Sequence, residues 1–143
     1  MRIGILREEK KTADRRVVFS PTQCKRICKD FPELEIFVQT SDIRCFRDNE
    51  YAELGIPVVE DLRECDILLG IKEVPKEKLI PNKTYLFFSH TIKEQEYNRE
   101  LLKEMISLNI RMIDYEVLKY DNGNRILGFG RYAGIIGAYN GLL

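Results

Sequence analysis

Short apolar runs alternate with helical patterns along the chain. Residues 2–6 (RIGIL) predict a first strand, and a charged loop over 7–16 follows it. Ser20-Pro21 predicts a helix start: serine can cap, and proline suits the first helical position, where its missing N–H costs nothing. That helix runs to about residue 30, where Phe31-Pro32 stops it. Residues 35–39 (EIFVQ) predict a second strand, and 49–54 a short helix ended by Gly55. Residues 66–72 (DILLGIK) are apolar on both faces, as a strand inside a parallel sheet is. Residues 84–88 (TYLFF) predict a fourth strand and 110–113 a fifth. Between them, 94–108 carries Leu101, Leu102, Met105 and Leu108 at three- and four-residue spacing, which predicts an amphipathic helix. Asp121-Asn122-Gly123-Asn124 predicts a turn that reverses the chain between 118–120 and 126–129. Residues 131–143 predict a last helix.

Strands alternating with helices imply an α/β fold: an open, mostly parallel sheet with helices on both faces, flavodoxin- or Rossmann-like. The 143 residues amount to one domain at roughly 100–200 residues each. Lys plus Arg and Asp plus Glu are 23 each, so the formal net charge is zero. With no basic run, there is little pull on nucleic acid or anionic lipid, and neither is expected as a partner. The apolar stretch of MRIGILREEKK is too short for a signal peptide. No segment approaches the roughly 18 apolar residues of a membrane span. Cys24, Cys28, Cys45 and Cys65 are scattered, and no second pair or nearby histidine completes a metal site. They read as buried or idle thiols in a reducing, cytoplasmic compartment.

In the last segment Gly130, Gly134, Gly137 and Gly141 recur with Ala133 and Ala138. Each glycine costs a helix about 1 kcal/mol relative to alanine, so close approach of another backbone is the expected compensation. This apolar helix stops at Gly141-Leu142-Leu143 with no polar cap. Its packing partner is therefore expected to be missing and the sequence to be a piece of a longer one. A homo-oligomer through the same glycine-faced surface stays open.

Ligands of open α/β sheets collect beyond the carboxyl ends of strands, and several predicted strands end on ionisable groups. Arg15 and Arg16 lie in the loop after the first, Lys72 and Glu73 end DILLGIK, His90 follows TYLFFS, and Asp114 and Glu116 follow IRMI. An arginine suits a carboxylate ligand. A lysine beside a histidine suits proton transfer near neutral pH. Gly128-Phe129-Gly130 with Gly134 has the wrong spacing for a dinucleotide turn, with no acidic residue about 20 positions on. No cofactor is expected to bind this chain alone.

LREEKKTADRRVVFSP, GIKEVP, FFSHTIKEQEYNRELL, IDYEVL and GFGRYAGIIGAYNGLL occur in that order over essentially the whole chain. The set resembles the amino-terminal domain shared by alanine dehydrogenase, proton-translocating transhydrogenase and saccharopine dehydrogenase. FFSHTIKEQ with IDYE and FGRYAG is most similar to the lysine–2-oxoglutarate reductase (lysine-forming saccharopine dehydrogenase) branch. The resemblance implies a substrate domain joined to a Rossmann domain that binds NAD or NADP, with an amino acid and a 2-oxo acid as substrates meeting in an imine. It implies a substrate-binding domain over 1–130 and, over 131–143, a linking helix toward the absent nucleotide-binding domain. By the same resemblance Lys72 and His90 match an acid–base pair. Arg16 and Arg125 match arginines that hold substrate carboxylates. Glu73 and Glu116 match carboxylates that tune the pair, and Asp14 falls where some members have glutamate. Without the nucleotide domain, this chain alone is expected to be inactive. An alanine dehydrogenase-type domain, a non-catalytic amino-acid or oxo-acid binding or regulatory module, and one chain of a split enzyme stay open as alternatives.

Overall fold

The computed structural model describes residues 1–9 and 13–142. The part of the charged loop at 10–12 and the last residue of the predicted terminal helix, Leu143, lie outside the described residues. Six strands form: β1 (Arg2–Ile5), β2 (Glu35–Gln39), β3 (Val58–Val59), β4 (Ile67–Lys72), β5 (Thr84–Phe88) and β6 (Arg111–Asp114). They make one sheet in the order β3-β2-β1-β4-β5-β6, and every pair is parallel. This order, 3-2-1-4-5-6, is that of doubly wound nucleotide-binding sheets.

Alternation of side chains along a strand builds a core on each face. Consecutive residues show it: Ile5 packs with Ile36, Val38 and Tyr51, whereas Leu6 packs with Leu68, Phe87, Leu101 and Met105. Helices α1 (Pro21–Asp30) and α2 (Asp48–Ala52) supply Cys24 and Tyr51 to the first core. Helix α3 (Glu96–Ser107) supplies Leu101 and Met105 to the second. The helix start predicted at Ser20-Pro21 forms a capping box: Gln23 N–H donates to Ser20 Oγ at 3.3 Å, and Ser20 N–H donates to Gln23 Oε1 at 2.8 Å.

Several elements depart from the sequence pattern. Helix α3 starts at Glu96 rather than 94, because Glu94 takes left-handed backbone (φ 51°) at the end of a 3-10 turn over Thr91–Lys93. Leu102 is exposed, and the buried stripe runs through Asn98, Leu101 and Met105. The predicted hairpin reduces to one antiparallel bridge, Lys119 with Arg125, supported by Ile126 N–H donating to the Leu118 carbonyl at 2.9 Å. Helix α4 (Gly130–Asn140) forms, yet all its residues are exposed. A Cβ built on Gly130, Gly134 or Gly137 would meet nothing within 4 Å, so the expected close approach does not occur among the described residues. All four cysteines are free thiols. Cys24 and Cys65 are buried, Cys28 is half-buried and Cys45 is exposed. No helix among the described residues is long and apolar enough to cross a membrane.

Candidate functional site: a lysine–histidine–glutamate row at the switch point

The strand order reverses between β1 and β4, and the crevice beyond the carboxyl ends of such strands is where open α/β sheets hold ligands. The chain after β1 and the ends of β4, β5 and β6 all reach this rim. Lys72 is the last residue of β4. Leu69 lies opposite Leu86 but Lys72 opposite Phe88, so β4 uses one residue more than β5 over this stretch. That surplus is a bulge, which bends a strand and re-aims its side chains.

His90 lies two residues past β5, also in left-handed backbone (φ 57°). Such backbone is unfavourable for a non-glycine residue, and neighbours hold it. Buried Ser89 donates through Oγ to Asp114 Oδ2 at 2.6 Å. Asn98 Nδ2, from the buried stripe of α3, donates to the His90 carbonyl at 3.2 Å. The imidazole is thereby presented edge-on between two charges. Its Nδ1 is 3.0 Å from Glu116 Oε2, and its Nε2 is 3.5 Å from Lys72 Nζ. The shorter contact of Nδ1 with the Glu116 carboxylate favours the tautomer protonated there, against Lys93 Nζ at 3.3 Å from the same nitrogen, and that tautomer turns the Nε2 lone pair toward Lys72.

Glu116 sits in a 3-10 turn, Tyr115–Val117, that follows β6. Its backbone N–H donates to Asp114 Oδ1 at 2.8 Å. Its side chain, only 6% exposed, also meets Lys93 Nζ and Arg125 Nη2, each at 3.1 Å from Oε1. Hydrogen bonding from His90, followed by that from Lys93, holds the Glu116 carboxyl at about 2, against the opposing effect of burial. It is therefore a fixed negative charge at neutral pH. Arg125 spends one of its five N–H donors on it and stays more than half exposed.

Arg16 reaches the same rim from the loop after β1. Its Nε donates to Asp14 Oδ1 at 2.8 Å, and its guanidinium lies 4.8 Å from the centre of the Phe129 ring. Phe129 packs on Phe88 at 5.7 Å, and Phe88 stacks beside His90 at 6.5 Å. An aromatic floor thus joins the arginine to the histidine. Asp14 is held below the usual carboxylate range, first by the hydrogen bond from Arg16 and also by the charge of Lys72. Glu73, half-buried, follows Lys72 at the same strand end. Arg15 is exposed, and its carbonyl accepts from Cys45 N–H at 2.8 Å. Of the residues singled out by sequence, the geometry gathers Lys72, His90, Glu116 and Arg125 into one contact series, with Arg16 and Asp14 adjoining.

Three participants were not singled out from sequence: Glu8, Lys93 and Asn98. Lys93 had a signal, since residues three apart eclipse on a 3-10 turn and it lies three beyond His90. Asn98 looked like an ordinary polar position of a helix. Glu8, inside the run REEKK, looked like a solvated charge.

Sheets of this strand order that bind dinucleotides place a glycine-rich turn after the first strand. Here Arg7-Glu8-Glu9 occupy that place. Gly128-Phe129-Gly130 leads into α4 from the bridged hairpin rather than from a sheet strand. Among the described residues no glycine-rich turn follows a strand of the sheet.

The domain is doubly wound, with cations and carboxylates in place of glycines at its switch point. The chain belongs to the alanine dehydrogenase/PNT N-terminal domain family, whose model matches residues 4–136. It is 41% identical over 138 residues to mitochondrial alpha-aminoadipic semialdehyde synthase of Mus musculus, covering 96% of this chain and 15% of that protein. It is 31% identical over 142 residues to saccharopine dehydrogenase [NAD(+), L-lysine-forming] of Yarrowia lipolytica, covering 96% of this chain and 38% of that protein. An L-alanine dehydrogenase structure superposes with a TM-score of 0.69 at 19% identity, covering 87% of this chain and 35% of that one. That likeness speaks to fold alone. The family resemblance read from the ordered motifs is met. The chain spans well under half the length of these relatives.

Proposed function

We propose that this chain is the substrate-side domain of a nicotinamide-dependent reductase of the saccharopine-forming type, in which the lysine side-chain amine and 2-oxoglutarate condense to an imine. Two kinds of support favour it over the alanine-type reading. Identity is 41% to an alpha-aminoadipic semialdehyde synthase and 31% to a lysine-forming saccharopine dehydrogenase. The observation that carries the chemistry is the row Lys72–His90–Glu116, at 3.5 and 3.0 Å.

Formation of the protonated imine needs a proton taken from the amine as it adds to the oxo carbon, a proton given to the hydroxyl that leaves as water, and, before that, one from a second donor that turns the oxo oxygen into that hydroxyl. His90 Nε2, backed by the fixed charge of Glu116 on Nδ1, takes the first and returns the second, and Lys72 Nζ is the neighbouring proton donor. Arg16 and Arg125 are the cations for substrate carboxylates in this reading. Glu73 adds negative charge beside Lys72. In this reading residues 1–130 bind the substrates, 131–143 link to a nucleotide-binding domain, and NAD or NADP is held by that domain. A reducing compartment such as the cytoplasm suits four free thiols, although the mouse relative is mitochondrial by name.

The test is an assay of the full-length protein with lysine, 2-oxoglutarate and reduced nicotinamide cofactor. Oxidation of the cofactor that requires both substrates is expected. Turnover with pyruvate and ammonia in their place overturns the substrate assignment.

A further inference from the structure

The backbone that carries Lys72 is held by a residue outside the row. The β1–β4 ladder runs as far as Ile5 opposite Leu69, with Leu6 N–H donating to the Leu69 carbonyl at 2.9 Å. The next β4 amides go to a side chain: Ile71 N–H donates to Glu8 Oε1 at 2.7 Å, and Lys72 N–H donates to Glu8 Oε2 at 2.9 Å. In a regular strand successive N–H groups point to opposite edges. Here two in succession reach one carboxylate, which requires the bulge recorded by the register shift between Leu69 and Lys72. A carboxylate is the side chain suited to this task, being acceptor-only with two oxygens.

We propose that Glu8 is the positioning residue for Lys72: by accepting both amides across the seam between β1 and β4, it stabilises the bulge that aims the lysine amine at His90. The proposal rests on the acid–base reading of Lys72 given above. It commits Glu8 to acting through the backbone of Lys72, without touching substrate. Burial pushes the Glu8 carboxyl up, against the lowering effect of the two amides. The charged and titratable groups facing it are Asp14 and Arg16 on its own loop and Tyr115 after β6.

The experiment uses the full-length protein and the lysine plus 2-oxoglutarate assay. Glutamine at position 8 keeps one acceptor and sets an amide N–H₂ against the other backbone donor. Glu8→Gln is expected to lower kcat by about 10- to 100-fold, the scale of a misplaced reacting group, with KM for 2-oxoglutarate little changed. Combined with Lys72→Met, Glu8→Gln is expected to cause no further loss, because both act on one group. A kcat for Glu8→Gln equal to wild type, or an independent further loss in the double variant, overturns the positioning role. If Lys72→Met retains full activity, the acid–base reading falls and this proposal with it. If Lys72→Met is inactive while Glu8→Gln is unaffected, only this proposal falls.

Should Glu8→Gln fail to fold, amide NMR of the wild-type protein decides. The Ile71 and Lys72 amide protons are expected to titrate together as the pH is lowered, before exposed glutamates do, with kcat falling over the same range. Amides that do not titrate, or a kcat indifferent to that transition, overturn it.

Discussion

Two buried charges in this molecule are wired in opposite ways. Arg44, with 3% of its side chain exposed, finds its partners within the short segment from the end of β2 to α2. It donates to the carbonyls of Gln39 at 2.9 Å and Phe46 at 3.0 Å, pairs with Asp48, and lies over the Tyr51 ring at 4.6 Å. Glu116 is almost as buried, yet its partners come from elsewhere in the chain: His90, 26 residues before it, Lys93 beside that, and Arg125 beyond the 3-10 turn. Arg44 is a closed knot that fixes one loop between β2 and α2. Glu116 is a hub whose lysine and arginine partners stay about half-exposed, and the far nitrogen of its histidine faces another ionisable group. A buried charge satisfied locally and completely reads as architecture. One that gathers exposed partners from several strand ends reads as chemistry.

The largest expected effect lies on the chemical side. In the full-length protein, Lys72→Met is expected to reduce kcat by about 100-fold or more, the usual contribution of a positioned acid or base, while the urea midpoint moves little. Kinetics and unfolding run on the same preparation check this. A large drop in stability with unchanged turnover per folded molecule would erase the distinction drawn above. Arg44→Leu is the mirror experiment. Breaking a buried ion pair costs about 3–5 kcal/mol, and because Asp48 is partly exposed, about 3 kcal/mol is expected from urea unfolding, with kcat per folded protein retained.

A third test separates the two charges by pH. The Glu116 carboxyl is held at about 2, chiefly by His90, and an unfolded glutamate titrates near about 4.3. A depressed folded value means that the carboxylate's stabilisation is complete above the unfolded value and is lost as pH falls from there toward 2. Glu116→Gln is therefore expected to be less stable than wild type at pH about 6, with the gap narrowing steadily below pH about 4.3. A gap independent of pH contradicts the assignment. The smallest effect is remote from both charges: Ser20→Ala removes one half of the α1 capping box and is expected to cost about 1 kcal/mol, with no change in turnover.

Much of this architecture was legible from the sequence because its signals are local. Residues 35–39 and 84–88 are the observed β2 and β5, and Ser20-Pro21 starts α1 through a hydrogen-bonded cap within four residues. β3 escaped because two residues carry no periodicity. The start of α3 escaped because the left-handed Glu94 answers to the fold of the turn before it rather than to the apolar spacing of 94–108. Strand-end logic brought Lys72, His90 and Glu116 forward, since a parallel sheet delivers its carboxyl ends to one rim. The geometry adds what spacing does not hold. Arg16 is already engaged by Asp14, Arg125 by Glu116, and Glu8 reaches amides 63 and 64 residues away. A carboxylate in REEKK whose partners are backbone groups of a distant strand leaves no mark on local composition.

The most direct test of the central claim is the rate of the full-length protein carrying His90→Gln, measured with saturating lysine and 2-oxoglutarate across neutral pH. Glutamine can still hydrogen-bond toward Glu116 but cannot shuttle a proton. A folded protein whose kcat is lower by about 100-fold or more throughout that range is expected. A variant that matches the wild-type rate would contradict it and return the Lys72–His90–Glu116 row to the architectural class of Arg44.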